Sequence, residues 1–94
     1  MDRKAFIEKM EAQLKVWDAE IQTLSAKAEK ARVDLKADLQ AQIKTLVSKR
    51  DGAQKRLQEL REKSGDAWED LRGGIEAAWR DLKERIDRAV ERLK

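Results

Sequence analysis

Residues 67–94 consist of AWEDLRGGIEA, AWRDLKERIDR and AVERLK, which are two copies of one eleven-residue pattern and a third, truncated copy. In this register Trp68 is followed by Trp79 and then by Val90. Eleven residues make three helical turns at about 3.67 residues per turn, so the repeat draws a nearly straight apolar stripe. Most of the remaining positions are charged. The segment is therefore predicted to be an amphipathic helix that packs on another part of the protein.

The apolar pattern of the first half differs from that of the last third. Residues 2–50 contain neither Gly nor Pro, and their apolar side chains recur at alternating steps of three and four, a heptad seam. Asp2 is predicted to cap the N-terminus of the helix. After Leu35 the spacing changes to the eleven-residue one, which we interpret as a stutter within a continuous coiled coil. The pattern predicts an all-α chain.

Composition agrees with this fold class. The 94 residues are enough for one small domain, charged residues make up 44% of them, and Pro, Cys and His are absent. Ala, Leu, Lys, Glu and Arg dominate, as is typical of long or coiled-coil helices. With one Phe and three Trp as the aromatic residues, a large cavity is not expected.

The chain is predicted to reverse at residues 51–52, where Asp51-Gly52 is a turn-type dipeptide. The reversal gives a long antiparallel hairpin of arm 1, residues 2–50, and arm 2, residues 53–94. Positions whose numbers sum to about 103 then face each other, and apolar side chains meet along the whole hairpin.

Two large apolar pairs characterise this register, Leu24 with Trp79 and Leu35 with Trp68. The predicted helix–helix interface consists of Met10, Leu14, Trp17, Ile21, Leu24, Leu35, Ile43, Leu46, Leu57, Leu60, Trp68, Leu71, Ile75, Trp79, Leu82, Ile86, Val90 and Leu93.

A three-helix bundle is the alternative fold. It requires turns near residues 33–34 and at residues 64–66, and it gives three helices of about thirty residues. Residues 64–66 are Ser-Gly-Asp; the Gly is suited to ending a helix, and the Asp stands three residues before Glu69, the spacing of a capping box. A break at residues 64–66 also fits within arm 2 of the hairpin.

The residue types that support catalysis are scarce. Without Cys and His the chain lacks the usual nucleophile–base pairs and the commonest transition-metal ligands. Its Ser residues lie apart, outside any Gly-rich phosphate loop or nucleophile elbow. We therefore expect a protein that is not an enzyme, with no catalytic residues, no cofactor and no metal site.

Charge and shape indicate the kind of partner. Lys and Arg number 22 against 19 Asp and Glu, a net charge of +3, and the two signs alternate along the chain, so nucleic acid is not an expected partner. A two-helix hairpin leaves much of its flank uncovered, which predicts a homo-oligomer. The sequence identifies no heterologous protein partner. Ala5, Ala12, Ala19 and Ala26, and then Val33, recur every seven residues and either add helix propensity or form a second contact surface for another copy.

A peripheral membrane-surface protein is the alternative function. Trp residues on an amphipathic helix with flanking Lys and Arg are typical of helices that lie in a lipid interface, although the same Trp residues also fill a helix–helix core. The N-terminal residues MDRKAFIEKMEAQLK lack the apolar core of a signal peptide, which predicts a cytoplasmic location.

The chain also resembles a known family. MDRKAFIEKMEAQLKVWDAEI at its start and QAQIKTLVSKRDGAQKRLQELREKSGDAWEDLRGGIEAAWRDLKERID further on are similar to small bacterial coiled-coil proteins of stress response, found in cyanobacteria and proteobacteria. The AWEDL…AW segment is the most recognisable part. The resemblance implies a soluble bacterial helical protein with a role in stress and with no catalytic residues to carry over.

Overall fold

The computed structural model describes residues 2–63 and 67–93. Within these ranges the chain forms three helices, α1 (Arg3–Glu29), α2 (Val33–Glu62) and α3 (Ala67–Arg92). The predicted all-α fold is confirmed. The molecule measures 52 × 17 × 17 Å, the shape of a bundle as long as its helices.

Helix α1 begins where the sequence predicts. Asp2 has an extended backbone, and its Oδ1 accepts a hydrogen bond of 2.7 Å from the backbone N–H of Ala5, which confirms the predicted N-cap. The heptad seam then buries one side chain per turn, from Phe6 to Ala28. At the other end, the N–H of Lys30 bonds back to carbonyls of the last turn and closes the helix.

The first chain reversal lies at residues 30–32, between α1 and α2. Its sequence, Lys-Ala-Arg, contains neither Gly nor Pro. The N–H groups of Leu35 and Lys36 both donate to the carbonyl of Arg32 at 2.9 Å and start the next helix. The sequence alone indicates that the change of apolar period after Leu35 is a stutter in one helix. That interpretation is wrong, because the period changes where one helix ends and another with a different buried face begins.

The predicted turn at residues 51–52 is also wrong, because α2 runs through Asp51-Gly52 without a break. Gly in a helix interior costs about 1 kcal/mol relative to Ala. The buried side chains of Leu46, Ala53 and Leu57 continue the apolar stripe across this point. Each buried Leu side chain contributes about 1.5–3 kcal/mol, which outweighs the local penalty at Gly52.

The apolar register that favoured the hairpin does not discriminate between folds. Both halves of the chain repeat at seven or eleven residues, so sliding one helix by a whole repeat again places apolar side chains opposite each other. In the bundle the ring of Trp79 contacts that of Trp17. The predicted partner of Trp68, Leu35, is exposed, and Trp68 contacts Phe6.

The alternative fold, the three-helix bundle, is the one observed. Along the bundle axis, residue numbers increase in one direction in α1 and α3 and in the opposite direction in α2. Helix α2 is therefore antiparallel to both neighbours, and α1 is parallel to α3. The predicted break at residues 64–66 lies outside the described residues. The ion pairs that show this order are Glu11–Arg61 and Asp18–Arg50 for α1, and Asp81–Lys49 and Arg92–Asp38 for α3.

One apolar cluster fills the centre of the bundle and receives side chains from all three helices. No charged or polar residue is buried among the described residues. In the same ranges, no helix has a stretch long and apolar enough to cross a membrane. The ionisable groups of these helices therefore lie on the surface, and any functional chemistry has to be sought there.

Candidate interaction surfaces

The residues predicted for the helix–helix interface lie almost entirely inside the bundle. Leu71, Val90 and Leu93 are partly buried and pack against the core. Leu35 is the exception, because 44% of its surface is exposed at the start of α2. The buried members are Met10, Leu14, Trp17, Ile21, Leu24, Ile43, Leu46, Leu57, Leu60, Trp68, Ile75, Trp79, Leu82 and Ile86.

The predicted interface omits several core residues. Phe6 is the most important, with 2% of its surface exposed. It precedes Trp17 by eleven residues, the same interval that separates Trp68 from Trp79, and this shared interval was a usable signal. The other omitted core residues are Ala28, Leu39, Ala53 and Ala89.

Aromatic rings join α1 to α3 at two levels. The centroids of Phe6 and Trp68 lie 6.0 Å apart, and the planes are tilted by 42°. The guanidinium of Arg72 lies 5.7 Å from the centroid of the Phe6 ring and 6.0 Å from that of Trp68, within the range of a cation–π contact. Its Nε also donates to Glu76 at 2.7 Å, so Arg72 covers this end of the aromatic layer while remaining paired.

The indole of Trp79 has a polar atom with no partner. Its Nε1 is buried and finds no hydrogen-bond acceptor among the described residues. Leaving a buried donor unsatisfied costs about 1–3 kcal/mol. The ring stays in the core because its large apolar surface, packed against Trp17, outweighs that loss.

A bidentate ion pair joins α1 to α2. Arg50 donates from Nε to Oδ1 of Asp18 at 2.5 Å and from Nη2 to Oδ2 at 2.8 Å. Hydrogen bonding to Asp18, and secondarily to Asp51, raises the pKa of Arg50 above its ordinary value. Arg50 also bonds Gln54 on the same helix. Arg50, which would stand next to the predicted turn at residues 51–52, instead fixes the register of α1 against α2.

A second charged group joins α2 to α3. Lys49 lies 3.2 Å from Oδ2 of Asp81, and Arg85 donates to the same carboxylate from the next turn of α3. The hydrogen bond from Lys49, followed by that from Arg85, holds the pKa of Asp81 below its ordinary value of 3.8. These contacts orient α2 against α3.

One line of side chains on the solvent side of α1 carries no charge. Ala12, Val16, Ala19, Thr23 and Ala26 follow one another at steps of four and three and are all exposed, and we call them the outer α1 face. Val16 exposes 52% of its surface. The hydroxyl of Thr23 donates to the carbonyl of Ala19 at 3.0 Å, so its donor is used within the helix. Ala12, Ala19 and Ala26 belong to the seven-residue stripe noted in the sequence, and among the described residues this face packs on no other helix.

The exposed glycine pair of α3, Gly73-Gly74, has no local packing role. A Cβ built on either residue would meet nothing within 4 Å. The bundle therefore does not require glycine here for close approach of its own helices.

Within residues 2–63 and 67–93 no three acidic side chains converge to form a metal-binding group. Comparison of the chain with family models, curated proteins and solved structures finds no match.

Proposed function

We propose that the protein is a non-enzymatic helical module that self-associates through the outer α1 face. The observation that carries the proposal is the uncharged line of side chains from Ala12 to Ala26 on the solvent side of a bundle whose core is already closed. The uncovered hairpin flank that predicted self-association from the sequence does not exist in this fold. The outer α1 face takes its place.

The face has the pattern of a helix-packing seam. Its side chains alternate at steps of four and three over about 21 Å, at 1.5 Å per residue. Small Ala side chains allow a second helix to approach to about 8 Å. The solvent side of α3 is different, because its exposed line from Ala77 continues through Arg80 and Glu84.

Charges beside the seam favour an antiparallel pair of α1 helices. We place Val16 of one copy opposite Ala26 of the other, and Ala19 opposite Thr23, so that the interface has two-fold symmetry. Lys15 of each copy then lies beside Glu29 of the other, an attractive pair on each side of the axis.

Glu20 of the two copies meets close to the two-fold axis, where like charges repel. The carboxylate of Glu20 contributes to raising the pKa of Lys83 in its own bundle, behind the stronger effects of Asp87. This neighbouring cation reduces the repulsion between the two Glu20 side chains.

Sedimentation equilibrium of matched variants tests the proposal. The unmodified protein is expected to dimerise at micromolar concentration. Ala19→Glu places a charge in the seam and should give a monomer of unchanged helicity, whereas Ala77→Glu, the same change at an exposed Ala of α3, should leave the dimer intact. A monomer for the unmodified protein at high concentration, or equal loss in both variants, would contradict the proposal.

Peripheral lipid binding is the second candidate function. The unpartnered N–H of Trp79 favours it, because an indole at a membrane interface meets hydrogen-bond acceptors. The burial of Trp17, Trp68 and Trp79 requires that the bundle open before these rings reach lipid. Anionic vesicles that shift Trp emission further to the blue and co-float with the protein would place lipid binding first; unchanged emission supports the self-association module.

A role in stress response rests on the family resemblance, and a cytoplasmic location rests on the sequence features described above. Both stay predictions. Immunoblots of cell fractions, taken at intervals after stress is applied, test both predictions. A rise in the level of the protein over time supports the role in stress. The fraction that carries the band tests the location.

A further inference from the structure

A groove between α2 and α3 combines cations with an apolar floor. Its volume is about 330 Å³, at the lower end of small-ligand sites. It lies away from the outer α1 face, so the inference below does not depend on self-association. The groove is lined by Gln42, Thr45, Leu46, Arg85, Arg88, Ala89 and Arg92.

Three arginines of α3 follow one edge of the groove at steps of three and four. Arg85 uses its Nε to bond Asp81 at 3.2 and 3.3 Å, and Arg92 uses Nη2 to bond Asp38 at 2.6 Å. A guanidinium has five N–H donors, so both keep donors after these contacts. Between them, Arg88 has no carboxylate at ion-pair distance in the described part of the chain.

The rest of the groove is neutral. Leu46 and Ala89, with 2% and 4% of their surfaces exposed, form its floor where the core comes to the surface. On the α2 edge, the hydroxyl of Thr45 donates to the carbonyl of Ala41 at 3.2 Å, and Gln42 carries an amide that can donate or accept. The carboxylates lie at the two ends of the groove.

We propose that this groove binds a small amphipathic anion, a carboxylate or phosphate that carries a short apolar chain. The oxyanion is held by Arg88 with the remaining donors of Arg85 and Arg92, because charged, forked donors match such oxyanions in geometry. The chain lies on Leu46 and Ala89. Inorganic phosphate has no apolar chain to cover this floor.

The same oxyanion occurs on free metabolites and on lipid headgroups, and the charges favour the free ligand. Asp38 and Asp81 at the two ends reduce the attraction of this surface for an anionic bilayer, which extends across both ends of the groove. A ligand of groove size meets the arginines without covering these carboxylates.

Titration with hexyl phosphate, followed by the backbone amide resonances of the protein, tests the inference. Shifts are expected at Gln42, Ala89 and their neighbours. Arg88→Gln should weaken binding about tenfold, the loss of one charge-assisted hydrogen bond. Arg80→Gln, an equal change at an exposed arginine of α3 outside the groove, should leave the affinity unchanged.

Three further arms identify the ligand class. Inorganic phosphate and hexanol at matched concentrations should each bind more weakly than hexyl phosphate, and phosphatidylglycerol vesicles should not shift the groove resonances. The inference is overturned by equal losses in the two variants, by inorganic phosphate binding as tightly as hexyl phosphate, or by binding to the vesicles alone. Unchanged helicity of both variants establishes that the fold is intact.

Discussion

Trp17 of α1 and Trp79 of α3 lie with ring centroids 6.2 Å apart and planes tilted by 49°. Eleven residues earlier in both helices, Phe6 and Trp68 make the same kind of contact at 6.0 Å. Eleven residues are three turns in each helix, so two parallel helices repeat the contact about 16 Å further along the bundle. This relationship makes α1 and α3 parallel neighbours and thereby requires a third, antiparallel helix between them in sequence.

Replacement of Trp79 should show how much stability the aromatic layer contributes. Trp79→Ala is expected to lower the free energy of unfolding by about 3–5 kcal/mol, because it leaves a cavity against Trp17. Leu35→Ala, which truncates a half-exposed residue of the rejected hairpin seam, should cost less than about 1 kcal/mol. Urea denaturation measures the free energy of unfolding of both variants. Similar losses in the two would show that Leu35 is buried and would contradict the bundle.

Gly52→Ala tests the continuity of α2. In the bundle Gly52 is helical and a Cβ there meets nothing within 4 Å, so Ala should raise the free energy of unfolding by up to about 1 kcal/mol. Gly73→Ala, at an equally open helical position, provides the reference for that gain. If Gly52→Ala destabilises the protein while Gly73→Ala stabilises it, the chain turns at residue 52 after all.

A distance between labels at Lys4 and Glu91 separates the two topologies. Both residues can be changed to Cys for labelling, because the sequence contains no other Cys. In the bundle they lie near opposite ends, about 35–40 Å apart at 1.5 Å per residue, whereas the hairpin brings them to about 15 Å. Pulsed electron resonance on protein diluted with unlabelled copies gives the value, and a dominant short distance would contradict the bundle.

Asp81 should make part of the stability depend on acid pH. Its pKa is lower in the folded state than its ordinary value of 3.8, so the ionised carboxylate favours folding. That contribution is present above the ordinary pKa and is lost as the pH falls through the lower, folded value. The difference in unfolding free energy between the unmodified protein and Asp81→Asn is therefore expected to shrink below about pH 4.

Glu84→Gln, at an exposed carboxylate of the same helix, is the control for the loss of one negative charge. Chemical denaturation at a series of pH values measures the three proteins side by side. A difference between Asp81→Asn and the unmodified protein that stays constant down to about pH 2 would contradict the assigned role of Lys49 and Arg85 at this carboxylate.

The sequence by itself determined the helical class, the N-cap at Asp2 and most of the side chains that form the core. These follow from local physics, because apolar spacing decides which face of a helix is buried whatever the partner helix is. Even Phe6, which the predicted interface omitted, carried its signal in the eleven-residue interval to Trp17.

Only the tertiary structure decided where the chain turns and which helices meet. Asp51-Gly52 has the stronger local turn signal, yet the helix continues through it while Lys-Ala-Arg at residues 30–32 forms the reversal. A repeating apolar stripe can be buried against its partner in several registers. The choice between registers depends on contacts distant in sequence, such as Trp17 with Trp79 and Asp18 with Arg50. The burial gained by closing three helices around one core exceeds the penalty of a single helical glycine.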